Sequence, residues 1–101
     1  MNNIDLKKLM EKIINGENIV ILDVRSKVQY NEGHIEGAVN IPMSNLAIEM
    51  DDLDMNKEII VYCNSGKVSI GATLFLLDKG FNVKNLKGGF EEYKNCQLDI
   101  T

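Results

Sequence analysis

The chain has 101 residues, 45% hydrophobic and 26% charged, with a net charge of −4 at pH 7 and a pI near 4.9. That length suits one soluble domain, residues 1–101, burying roughly two thirds of its unfolded surface, and without a basic stripe it argues against non-specific nucleic-acid binding. No apolar run nears the roughly 20 residues of a membrane span, and Met1-Asn-Asn-Ile-Asp lacks the regions of a secretory signal.

Ile4, Leu6, Leu9, Met10, Ile13 and Ile14 follow helical spacing, with Asn2 or Asn3 as the cap and Gly16 as the stop. Ile19-Val-Ile-Leu22 is a β-branched-rich run without polar alternation, which predicts a strand covered on both faces, as in a parallel sheet. It leads into Asp23-Val-Arg25, and Arg25 is the only arginine of the chain. Val28 to Asn31 predicts a short helical turn stopped by Gly33. Ala38 to Ile41 predicts a short strand ended by Pro42, with Ser44 capping a brief helix through Met50. Asp51 to Asn56 is an acidic stretch read as a solvated turn in preference to a metal or partner site.

The strand Ile59 to Tyr62 then meets a polar turn, Cys63-Asn-Ser-Gly-Lys67, and a helical pattern from Val68 to Lys79 closed by Gly80. Ala72, Phe75, Leu76 and Ile70 are its expected core face. Val83 to Leu86 adds a strand, Gly88-Gly89 a turn, and Phe90 to Asn95 a last helix. Strands alternating with helices imply an α/β layered fold with a mainly parallel sheet and right-handed crossovers. In such sheets ligands bind outside the carboxyl ends of the strands, and Cys63 lies at one of those ends.

A strand, a Gly-containing turn and a helix start thus converge on one thiol. The backbone N–H groups of such a turn point at the sulfur and favour thiolate over thiol, lowering a pKa of about 8.5 for free Cys. With only Cys63 and Cys96, a disulfide scaffold is not expected and a reducing cytoplasm is. Two cysteines and one widely spaced histidine also make a poor zinc site, so no metal or other cofactor is expected.

Four stretches together resemble the rhodanese family: Ile21-Leu-Asp-Val-Arg25, Tyr30-Asn-Glu-Gly-His-Ile-Glu-Gly-Ala-Val-Asn-Ile-Pro42, Val61-Tyr-Cys-Asn-Ser-Gly-Lys-Val-Ser69 and Leu86-Lys-Gly-Gly-Phe90. They occur in the family's order and span nearly the whole chain. The resemblance implies a three-layer rhodanese-like fold and a sulfurtransferase or sulfur carrier. Cys63 would accept sulfane sulfur as a persulfide and pass it to a second nucleophile. The implied partners are a small donor (thiosulfate, polysulfide or a low-molecular-weight persulfide) or a sulfur-relay protein, with the chain a monomer or weak dimer.

Two departures bear on the donor. Family members active on thiosulfate usually carry Arg where this chain has Val68, and many have Arg where it has Asn64, leaving Lys67 as the loop's only cation. A guanidinium grips an oxyanion through two parallel hydrogen bonds, whereas an ammonium acts as a point charge. Losing roughly 1.5–3 kcal/mol of charged hydrogen bonding corresponds to a rate penalty of about ten- to hundredfold, so thiosulfate is expected to be a weak donor.

Around Cys63, Asn64, Ser65, Gly66, Lys67, Val68 and Ser69 form the expected active-site loop. Gly66 lets the backbone curl close to the bound sulfur. Ser65 and Ser69 are either hydroxyl donors or satisfy the loop backbone, with Ser69 read chiefly as a helix-start cap. Lys67 either attracts an anionic donor or is solvated. Asp23 and Arg25 are read as supporting residues that brace neighbouring loops, and His34 as ordering a turn, not as a base for Cys63. Cys96 is read as a spectator in preference to a resolving thiol, and Phe90 and Tyr93 as packing beneath the loop. The alternatives are a non-catalytic rhodanese-fold module for regulation or protein binding and, less favoured, a Cys-based phosphatase or arsenate reductase. The Cys-x5-Arg pattern of the latter is broken by Ser69.

Overall fold

The structure, a computed structural model, describes residues 2–100. Its strands are β1 (Asn3–Ile4), β2 (Ile19–Asp23), β3 (Val39–Asn40), β4 (Glu58–Tyr62) and β5 (Asn82–Leu86). They form one parallel sheet in the order β1-β5-β4-β2-β3, in register Ile21 beside Ile60, Asp23 beside Tyr62, and Val61 beside Asn85. The helices are α1 (Leu6–Ile14), α2 (Lys27–Glu32), α3 (Leu46–Glu49), α4 (Val68–Asp78) and α5 (Gly89–Ile100), with 3-10 turns flanking α3. Among the described residues no helix is long and apolar enough to cross a membrane.

Strand alternation divides the core between the two faces of the sheet. Leu22, Val24, Ile59, Val61, Cys63 and Val83 pack with Leu46, Ala72 and Leu76 of α3 and α4. Ile21, Ile60, Tyr62 and Leu86 pack with Leu9 of α1, with Phe90 and Tyr93 of α5 alongside. Cys63 therefore continues the Ile59–Val61 row one step past the end of β4.

Four expectations need correction. Asn2 and Asn3 do not cap α1; Asp5 does, its carboxylate accepting the Lys8 N–H at 2.8 Å. Ile4 is thereby freed from the helix and joins β1, pairing with Leu86, where it is buried, while Ile14 is 80% exposed. Ser44 makes no capping bond to α3, whose start is set by the preceding 3-10 turn. Ile70 points outward from α4, because Ser69 and Thr73 occupy the buried stripe with Ala72 and Leu76. Finally, α5 begins at Gly89 and runs on to Ile100, with no Gly or Pro after Asn95 to halt it.

Candidate active site

The turn after β4 closes around Cys63, a residue only 4% exposed. Gly66 N–H donates to Cys63 Sγ at 3.2 Å, and Ser69 N–H donates at 3.3 Å. The Ser69 hydroxyl lies 3.3 Å from the same atom. Lys67, at the cap position of α4, supplies no capping side chain, so Sγ does for the Ser69 amide what a capping oxygen would. Burial pushes the Cys63 thiol up, but the hydroxyl and amide of Ser69 and the amides of Gly66 and Ser65 outweigh it and leave the pKa below the ordinary value.

The loop is held from beneath by α5. Phe90 N–H donates to Cys63 O at 2.9 Å and Glu91 N–H to Asn64 O at 3.0 Å, so carbonyls of the turn fill the amide-rich start of that helix. Only glycine fits at residue 89: φ is +56°, and a Cβ would lie 2.5 Å from Cys63 O. The loop backbone and the last helix are thus locked together.

Asp23 and Arg25 form the floor of the neighbouring strand end. The guanidinium donates to both Asp23 oxygens, at 2.8–3.1 Å, and to Gly33 O at 2.6 Å, and lies 4.2 Å above the Phe90 ring. Burial acts against its charge, yet the Asp23 carboxylate raises the Arg25 pKa. Tyr62 OH donates to Asp23 Oδ2 at 2.6 Å and accepts from Ile35 N–H at 3.1 Å. Its own pKa is pushed up, by burial first and by Asp23 second. One remaining guanidinium nitrogen reaches Asn64 Oδ1 at 3.4 Å.

A cleft of about 380 Å3 opens above the sulfur between Val24, Arg25, Ser26, Gln29, Asn64, Ser65 and Val68. Ser65 and Lys67 are exposed, and Val68 is 60% exposed at the rim. Ser69 is fully buried inside the first turn of α4, which corrects its reading as a cap. His34 stacks on Tyr30 at 3.8 Å between ring centroids, with Nδ1 2.8 Å from Tyr30 O. Cys96 is exposed on α5.

Three participants escape the sequence reading. Asn40 Nδ2 donates to Asp23 O and Arg25 O, fixing the bend after β2. Gln29 lines the cleft from α2. Asn85, on β5, accepts from Ser69 Oγ at 2.6 Å and donates to Gly66 O at 3.1 Å. A signal for Asn85 did exist: it stands two residues after the buried Val83, and a polar residue on the inward face of a strand calls for a partner.

Residues 6–96 match the family model described as the rhodanese-like domain. The chain is 30% identical over 101 residues to a sulfurtransferase of Allochromatium vinosum, covering 99% of this chain and 94% of that protein. It is 35% identical over 79 residues to the thiosulfate sulfurtransferase GlpE of Shewanella oneidensis, covering 77% and 78%. Among solved structures, a rhodanese-related protein from Thermoplasma volcanium superposes with a TM-score of 0.86 at 29% identity, covering 94% of this chain and 92% of that one.

Proposed function

The chain belongs to the rhodanese-like family, and from that premise we propose that it carries sulfane sulfur on Cys63 and hands it to a nucleophilic acceptor. The observation that carries the reading is the ring of donors on a buried sulfur: Gly66 N–H, Ser69 N–H and Ser69 Oγ, all at 3.2–3.3 Å. The two amides are fixed in place before reaction, so they stabilise negative charge on Sγ without reorganising, and the Ser69 hydroxyl lies within reach to join them.

In the first half-reaction the Cys63 thiolate attacks the sulfane sulfur of the donor. The new S–S bond forms as the donor's own sulfur bond breaks, and the leaving group (sulfite, from thiosulfate) takes the electron pair. In the second, an acceptor thiolate or other nucleophile attacks the outer sulfur, and the Sγ–S electron pair returns to Cys63 as thiolate. No external oxidant or reductant enters. A thiolate already stabilised by the loop needs no general base, and His34 is occupied with Tyr30.

Polysulfide or a low-molecular-weight persulfide fits the cleft better than thiosulfate does. The one arginine is committed to Asp23 and Gly33 O, and the rim holds Val68 in place of a cation. A sulfur-relay protein would have to reach the same opening.

The test is intact-mass analysis of the Cys96→Ser variant after exposure to thiosulfate, polysulfide and glutathione persulfide. The reading predicts a gain of one sulfur atom on Cys63, reversed by dithiothreitol, with thiosulfate the slowest donor. Absence of that adduct with every donor would refute it.

A further inference from the structure

Asn85 has no evident task in the sulfur chemistry, yet it is only 2% exposed and both ends of its carboxamide are engaged. Its Nδ2 faces Gly66 O at 3.1 Å, and because a carbonyl only accepts, that bond fixes which way round the carboxamide sits. Oδ1, an acceptor only, must then face Ser69 Oγ at 2.6 Å. The Ser69 hydroxyl carries one proton and has two acceptors, Asn85 Oδ1 at 2.6 Å and Cys63 Sγ at 3.3 Å. It cannot serve both.

We propose that Asn85 is a positioning residue that competes with Cys63 for the Ser69 hydroxyl proton, which makes that hydroxyl a two-position switch set by the charge on the sulfur. Its use in sulfur transfer rests on the reading of the previous subsection. While Sγ is neutral, as thiol or as the inner sulfur of a persulfide, the proton lies on Asn85 Oδ1. In the thiol form the Oγ lone pair is then free to accept the S–H. When Sγ becomes a thiolate, a hydrogen bond to charge outweighs one to a neutral amide. The hydroxyl turns to the sulfur, and Asn85 Oδ1 loses its partner.

Thiolate is the attacking species in the first half-reaction and the leaving group in the second, so the hydroxyl turns twice per cycle. Asn85 opposes each turn toward sulfur, holding the thiol less acidic than the amides and a free hydroxyl would make it. The charged groups around the sulfur take no part. Arg25 and Asp23, at the end of β2, are bonded to each other, Lys67 is exposed, and Glu91 and Lys94 of α5 line the next cavity beyond Asn64.

The first test uses the Cys96→Ser protein. The carboxamide resonances of Asn85 are followed by NMR against pH, beside the alkylation rate of Cys63. They should shift with the same midpoint as Cys63, and the shift should vanish once Cys63 is blocked as a neutral methyl disulfide. A carboxamide that does not respond across the Cys63 midpoint overturns the proposal. The second test is a double-mutant cycle. Below the midpoint, Asn85→Leu should speed Cys63 alkylation roughly three- to tenfold, the worth of one net hydrogen bond, and should have no effect in a Ser69→Ala background. Slower alkylation, or an equal effect in both backgrounds, would mean that Asn85 only props the Gly66 carbonyl, and would overturn the proposal. If Asn85→Leu does not fold, the NMR titration still decides. Neither measurement uses a sulfur donor, so failure here and failure of Cys63 to take up sulfur are separable results.

Discussion

Gly66 excludes a side chain on two counts. Its φ of +89° is a conformation L-residues rarely adopt, and a Cβ would lie 3.1 Å from both Gly88 N and Leu86 O, which are backbone atoms. Gly66→Ala must therefore shift the loop and swing the residue 66 amide away from Sγ. We expect a stability loss of about 1–3 kcal/mol in urea unfolding and slower Cys63 alkylation at neutral pH; an unchanged alkylation rate would contradict the cage. Val68, 60% exposed at the cleft rim, offers the complementary gain. Val68→Arg should raise kcat/KM for thiosulfate by roughly ten- to hundredfold by adding a charged hydrogen bond to the departing sulfite. It should leave persulfide donors little changed, and equal gains for both donors would argue against an oxyanion clamp. At this scale Cys63 and Gly66 were readable because strand, glycine and helix start lie within ten residues. A serine at a helix start ordinarily reads as a cap, which hides the role of Ser69, and its partner Asn85 lies 16 residues away on β5, beyond the reach of any local pattern.

Elements are tied by charge around the amino-terminal end of β4, away from Cys63. Glu58 on β4 pairs with Lys12 of α1 at 2.9 Å and with Lys84 of β5. Burial acts to raise the Glu58 pKa, but hydrogen bonds from the two lysines hold it below its ordinary 4.5. Lys12 is raised, first by Glu58 and then by Glu17. Because the folded value of Glu58 is depressed, its stabilisation is present above about pH 4.5 and is lost as pH falls through the lowered pKa. The Lys12 contribution has the opposite sense, present below 10.5 and lost as pH rises through its elevated value. Glu58→Gln should thus cost roughly 1 kcal/mol at pH 7 and nothing at a pH well below the carboxylate range; urea titrations giving the same difference at both would refute the assignment. Strands β2, β4 and β5 and the helix α4 were legible from apolar runs and glycine stops. The two-residue β1 was not, because Ile4 also fits the helical spacing of α1 and only the Asp5 cap separates them.

Over the whole molecule, the parallel sheet brings the ends of β2, β4 and β5 to one edge. Asp23–Arg25, Cys63 and the Leu86–Gly89 turn meet there, although they lie far apart in sequence. Alternating strands and helices announced such an edge in advance. They did not reveal that α5 would seat its first amides on the carbonyls of Cys63 and Asn64, since a Gly-Gly pair reads as a turn whatever lies above it. Two helices therefore serve one loop: α4 gives a first-turn amide to the sulfur, and α5 fixes the backbone that carries it. The account depends on this arrangement producing an acidic thiol. The direct measurement is the alkylation rate of Cys63 against pH in the Cys96→Ser protein. A midpoint clearly below the value of about 8.5 for free cysteine is the predicted result, and a midpoint at or above it would contradict the account.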